Sequence, residues 1–313
     1  MSISSNTRAI KKKATGKGEG GLSSSLLGLN VGLEIQGLDL SDTLDPATVD
    51  EIQNLLLERQ FLTFPNQALT PARVLEIAKR FGHPEVNPIQ VGMAHHPEII
   101  RMAKRASEPD PLLSDARTNG SFYARPSKFV FAYCDDPSVN SDIICSSMTE
   151  AWNGLSKPIQ DFLEPLTALH SAASVYAPTQ ENTDLYVGRA SSQLEYSDAV
   201  YQTSEHPIVH THPDTGLRSL FINPAYTQCI NEVAKKESRA ILDFLWQHCA
   251  RPEFGCRIVS YPKTLSIWDN RVTTTMLTEH ANTKARLLYM VSTRNEEAIN
   301  PSPIWPTPSQ VFA

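Results

Sequence analysis

Two short clusters in this 313-residue chain carry side chains of the kinds that chemistry usually needs. His210, His212 and Asp214 stand in "HTHPD", at i, i+2 and i+4. On a strand that spacing puts all three on one face, where two imidazoles and a carboxylate suit a transition metal. Glu279 and His280 adjoin in "TEH" and would serve as general acid and base at a pocket they faced. His95 and His96 run directly into Pro97, which reads as a solvated turn rather than a ligand pair. The five cysteines, 134, 145, 229, 249 and 256, form no C-x-x-C pair, which argues against a structural zinc site or a disulfide framework. Reduced thiols of this kind suit a cytoplasmic protein.

These groups need a scaffold, and the composition is that of a globular protein, 41% hydrophobic and 20% charged. A net charge of -6 gives no reason to expect a nucleic-acid partner. No apolar run approaches the roughly 20 residues that span a bilayer, so no membrane partner is expected. "DPATVDEIQNLLLERQ" places Val49, Ile52, Leu55 and Leu56 at helical spacing, with Pro46 in the first turn. "TPARVLEIAKRFG" predicts a second helix, capped by Thr70 and stopped by Gly82. Further helices are predicted over "KPIQDFLEPLTALH" and "ESRAILDFLWQHCA". "LGLNVGLEIQGLDL", "FLTFP", residues 128–148, "HPIVHTHPDTGLRSLFIN", "FGCRIVSYPKTLSIWDN" and "RLLYMVSTR" read as strands and turns. With neither a repeat nor an internal linker, one α+β domain over residues 27–300 is expected. Residues 1–26, rich in Ser, Gly and Lys, read as a disordered basic tail, and 301–313 as a Pro-rich one.

Several segments together resemble the TauD/TfdA family of iron- and 2-oxoglutarate-dependent dioxygenases: "GLEIQGLDL", "AKRFG", "NGSFYARPSKFVFAY", "HPIVHTHPDTGLRSLFIN", "RPEF" and "SIWDNR". The resemblance covers residues 27 to 295. It implies a double-stranded β-helix, or jelly roll, with helices packed outside and a pocket between two sheets. It also implies an iron ion held by two histidines and a carboxylate.

At the places that the resemblance gives to those ligands, this sequence reads Arg117, Asn119 and Thr275. Arginine is never deprotonated and so cannot coordinate a metal, while Asn and Thr offer only neutral oxygens. The family's 2-oxoglutarate arginine falls at Arg286, a second arginine at Met290, and a hydroxyl contact at Ile143. "HTHPD" matches a hairpin on the surface of the family, and "WDNR" a segment that supports the fold. The expectation is therefore a protein with no metal and no cofactor, in place of the family's iron and 2-oxoglutarate. It would be a metal-independent, non-redox enzyme performing isomerisation, elimination or cyclisation on a small anionic or carbonyl-bearing molecule. Its catalytic set would be Arg117, Asn119, Thr275, Glu279 and His280, with Arg286, Tyr123, Ser121 and Asn87 binding the substrate. The alternatives are an inactive partner subunit of an active homologue, and a 2-oxoglutarate-dependent dioxygenase with relocated ligands. The resemblance further suggests a homo-oligomer or a hetero-oligomer.

Overall fold

The computed structural model describes residues 23–104, 115–135, 141–178, 194, 197–278, 286–296 and 299. An eight-stranded sheet forms one wall, in the order Ser23–Leu26, Leu33–Gln36, Phe61–Phe64, Thr264–Asp269, Phe129–Cys134, Arg286–Ser292, His96–Lys104, Gly92–Met93. Facing it are three strands ordered Gly255–Ser260, Ser141–Ser147, Thr273–Thr278. A second trio, Thr227–Ile230, Thr167–Ser171 and Thr203–Pro207, and the hairpin Val209–Thr211 with Arg218–Leu220 complete the described strands. This is the expected α+β jelly roll.

Side-chain alternation sets the two faces of the large sheet. In the strand Phe129–Cys134, Phe129, Phe131 and Tyr133 face an outer layer, and Val130 and Ala132 face the opposite sheet. The outer layer is two helices, Pro46–Arg59 and Pro71–Lys79, which bury Val49, Ile52 and Leu56, and Val74, Leu75, Ile77 and Ala78. Each starts where a side chain caps it: Asp45 accepts from the Thr48 N–H, and Thr70 from the Arg73 N–H. The first helix ends at Gln60, which turns at φ 63° into the fully buried strand "FLTF". Between the sheets, Val130, Ala132, Phe61 and Trp268 meet Ile143, Cys145, Cys256 and Ile258. The helices Lys235–Cys249 and Met148–Asn153 pack together on the far side, through Leu242, Leu245, Ala151 and Trp152.

Three expectations change. The helix predicted over 157–170 stops at Leu163, ahead of Pro165, and Thr167–Ser171 is a strand. His96 does not sit in a turn but begins the strand His96–Lys104, paired to Arg286–Ser292. Thr273–Thr278, where the sequence predicts no element, is the strand beside Ser141–Ser147. The predicted tails fall on residues 1–22 and 301–313, which lie outside the described residues, whereas Ser23–Leu26 is a strand. Among the described residues no helix is long and apolar enough to cross a membrane.

Candidate active site

Arg117, Thr118 and Asn119 are clamped onto the second sheet and the "WDNR" turn. The Arg117 N–H donates to the Thr275 carbonyl at 3.0 Å, and the Thr275 N–H to the Arg117 carbonyl at 2.9 Å. This antiparallel bridge sets residues 117 and 275 side by side. Thr118 Oγ1 donates to the Thr273 carbonyl at 3.1 Å. Asn270 grips the next residue from both sides: its Oδ1 accepts from the Asn119 N–H at 2.8 Å, and its Nδ2 donates to the Asn119 carbonyl at 2.9 Å. The same Nδ2 reaches the Ser127 carbonyl at 2.9 Å.

Two adjoining cavities share Arg117, Asn119 and Met290. The inner one, of about 390 Å³ including its mouth, lies between the sheets against Ala132, Ile143, Trp268, Thr275, Leu277 and Leu288. The outer one, about 760 Å³ including its mouth, is walled by Glu85, Asn87, Glu98, Tyr123, Tyr176 and Tyr226 among others. Burial pushes the Glu85 carboxyl above its ordinary pKa despite a hydrogen bond from Ser127 and the nearby Arg294 charge. Burial, with Glu85 and Tyr226 nearby, likewise raises the Tyr123 hydroxyl, which is buried without a hydrogen-bond partner among the described residues.

The predicted site residues separate into three groups. Arg117, Asn119, Thr275, Tyr123 and Asn87 converge on these cavities. Ser121 turns the other way: it is fully buried, bonded to His170 Nδ1 and Asn223 Nδ2, both at 3.0 Å. Glu279 and His280 lie outside the described residues, and Arg286 is placed only by its strand, opposite Lys104. Sequence reasoning missed Glu85, Tyr176 and Tyr226, which come from distant segments, and gave Trp268 a purely structural role. Trp268 both stacks on Phe61, with centroids 5.7 Å apart, and lines the inner cavity.

"HTHPD" lies in the hairpin of Val209–Thr211 with Arg218–Leu220, whose turn is exposed, but its two histidines point into the fold. His210 and His212 are buried and hydrogen-bonded into the fold. His210 Nε2 donates to the Arg271 carbonyl at 2.7 Å, and burial lowers its pKa to about 4. His212 Nε2 donates to Asp269 at 3.0 Å, while its Nδ1 accepts from the N–H groups of Asp214 and Thr215. An imidazole so engaged has no lone pair left for a metal. Among the described residues no group of three or more His, Cys, Asp or Glu could hold one.

A family model described as taurine catabolism dioxygenase TauD, TfdA family matches residues 23–274. The chain belongs to the TauD/TfdA family. An alpha-ketoglutarate-dependent sulfonate dioxygenase of Saccharomyces cerevisiae is 28% identical over 77% of this chain, which spans 59% of that relative's length. An alpha-ketoglutarate-dependent sulfate ester dioxygenase of Pseudomonas putida is 25% identical, over 85% of this chain and 87% of its own. Among solved structures, a taurine dioxygenase from Burkholderia xenovorans superposes with a TM-score of 0.74 at 24% identity, covering 90% of this chain and 94% of that one. That likeness establishes the fold.

These relatives overturn the expectation of a metal-independent isomerase or lyase without cofactors. The family is one of dioxygenases, and relatives that align over most of this chain are named for their dependence on α-ketoglutarate, that is, 2-oxoglutarate. Oxidative chemistry with iron and 2-oxoglutarate is the reading that family membership supports. The donor set is a separate matter. A guanidinium, a carboxamide and a hydroxyl at 117, 119 and 275 do not fit an iron ion.

Proposed function

We propose that this chain acts in the reaction class of its relatives, a 2-oxoglutarate-dependent oxidation of a small anionic organic molecule, of the sulfonate or sulfate-ester kind. The observation that supports it most is the family match over residues 23–274, on a fold that keeps a cavity between its sheets. The reading requires iron to be held by residues other than Arg117, Asn119 and Thr275, so no step is assigned to a metal at those positions. What the described residues supply is placement. Asn270 and Thr273 fix the 117–119 backbone, Trp268, Ile143 and Leu288 give a dry wall, and Arg117 brings a positive charge to the junction of the cavities. The free thiols are in keeping with a cytoplasmic setting.

The test is succinate release. Protein loaded anaerobically with Fe(II) and 2-oxoglutarate, then exposed to oxygen with a panel of alkanesulfonates and sulfate esters, is expected to release succinate in step with substrate consumed. A chelator added before the iron should abolish it. A loaded protein that releases no succinate with any member of the panel overturns the reading.

A further inference from the structure

Two arginines are buried among the described residues, and they are satisfied in opposite ways. Arg271, 2% exposed, is paired with two carboxylates: Nε and Nη2 donate to Asp269 at 2.9 and 2.6 Å, and Nη1 to Asp214 at 2.8 Å. Arg117, 5% exposed, has one side-chain hydrogen bond among the described residues, from Nε to the Asp115 carbonyl at 3.2 Å. Its guanidinium lies 5.9 Å from the centroid of the Tyr226 ring. No carboxylate among the described residues forms an ion pair with it. Glu85, on the outer wall, is bonded by Ser127, and Glu98 on the same wall forms no ion pair with Arg117. A buried cation with so few partners among the described residues is costly, and its cost falls away when an anion binds.

We propose that Arg117 is an anion receptor that takes the carboxylate, sulfonate or sulfate head of an organic molecule without help from a metal, while the molecule's apolar body lies in the inner cavity. The planar guanidinium fork matches such oxyanions bidentately, and its two terminal nitrogens have no hydrogen-bond partner among the described residues. The receptor is held rigidly, since the two hydrogen bonds to Thr275 fix the Arg117 backbone. The body of the ligand would meet Ala132, Ile143, Leu277, Leu288 and Met290, a lining that favours hydrocarbon. Within that wall the buried Trp268 indole N–H has no partner among the described residues, and neither has the Tyr123 hydroxyl in the outer cavity. Both await acceptors.

This inference deepens the function proposed above and rests on it for the choice of cavity. It differs in locating the head group on Arg117, the residue at the place of a family iron ligand. The test uses the whole chain, freed of metal with a chelator and titrated calorimetrically with hexanesulfonate, hexanoate, inorganic sulfate and hexanol. Hexanesulfonate and hexanoate are expected to bind once per chain, at least tenfold more tightly than either sulfate or hexanol. Arg117→Gln should weaken the two organic anions at least tenfold and leave hexanol unchanged, with Arg117→Lys in between. Because Arg117 pairs with no carboxylate among the described residues, Arg117→Gln is expected to fold as well as the parent chain. Should it not fold, equal binding of hexanol and hexanesulfonate by the parent chain would by itself refute the receptor. Undiminished hexanesulfonate binding by Arg117→Gln, or binding that appears only when Fe(II) is added, would also overturn it. Absent succinate release with intact metal-free binding would sink the proposed oxidation and leave the receptor standing.

Discussion

Asp269→Asn is expected to destabilise the folded chain by about 3–5 kcal/mol, the usual loss when one partner of a buried ion pair is removed. Asp269 is fully buried and its two oxygens accept four hydrogen bonds: from the Arg271 N–H, Nε and Nη2, and from His212 Nε2. An asparagine there keeps one acceptor oxygen and turns an amide N–H₂ toward a guanidinium that has only donors. Arg271 would then rely on Asp214, whose side chain is 41% exposed. The melting temperature should fall by on the order of 10 °C. The acid limb gives an independent check. Burial alone would raise the Asp269 pKa, but the Arg271 charge and the bonds from Arg271 and His212 outweigh it and hold it well below the usual carboxylate range. A group depressed in the folded state contributes stability above its unfolded pKa, near 4, and loses it as pH falls through the folded one. Parent and variant should therefore converge in stability as the pH drops below about 4. A difference under about 1 kcal/mol at neutral pH would mean that the network is dispensable.

Asn270→Ala is expected to damage stability and ligand binding together. The side chain is buried and satisfies three backbone groups: the N–H and carbonyl of Asn119 and the carbonyl of Ser127. Truncation leaves them unpaired at a cost of about 2–4 kcal/mol, since each buried orphan carries its own desolvation penalty. It also frees the segment that carries Arg117. Hexanesulfonate affinity, measured below the variant's melting temperature, should drop at least tenfold although Asn270 lines neither cavity. A variant that melts earlier yet binds as tightly as the parent would confine Asn270 to the fold.

Much of this architecture can be read in the sequence because it is written in local physics. The two outer helices show as 3.6-residue spacing with Asp45 and Thr70 as caps, and "FLTF" shows as an apolar run between punctuating residues. Arg117 and Asn119 at the cavity junction, and Thr275 on the inner cavity, follow from motif order. What escaped was decided by distant neighbours. "TTTMLT" has no apolar alternation, and it is a strand because Ser141–Ser147 supplies its ladder. "PLTALH" continues a helical spacing that Pro165 and the pairing of Thr167–Ser171 with Thr203–Pro207 override. Ser121 lies two residues from Asn119, yet His170 and Asn223 hold it away from the cavity. The inward turn of His212 within the exposed "HTHPD" hairpin depends on Asp269, 57 residues away.

The alternation across the large sheet separates two kinds of change by the parity of a residue number. In its central strands the odd positions, Phe129, Phe131, Leu265, Ile267, Tyr289 and Val291, anchor the helices. The even ones, Ala132, Trp268, Leu288 and Met290, shape the inner cavity. Substitutions at even positions can resize the chamber while the helix contacts stay intact, so the range of molecules it admits can drift across generations on an unchanged foundation. An insertion or deletion of one residue exchanges the two sets and disturbs both at once.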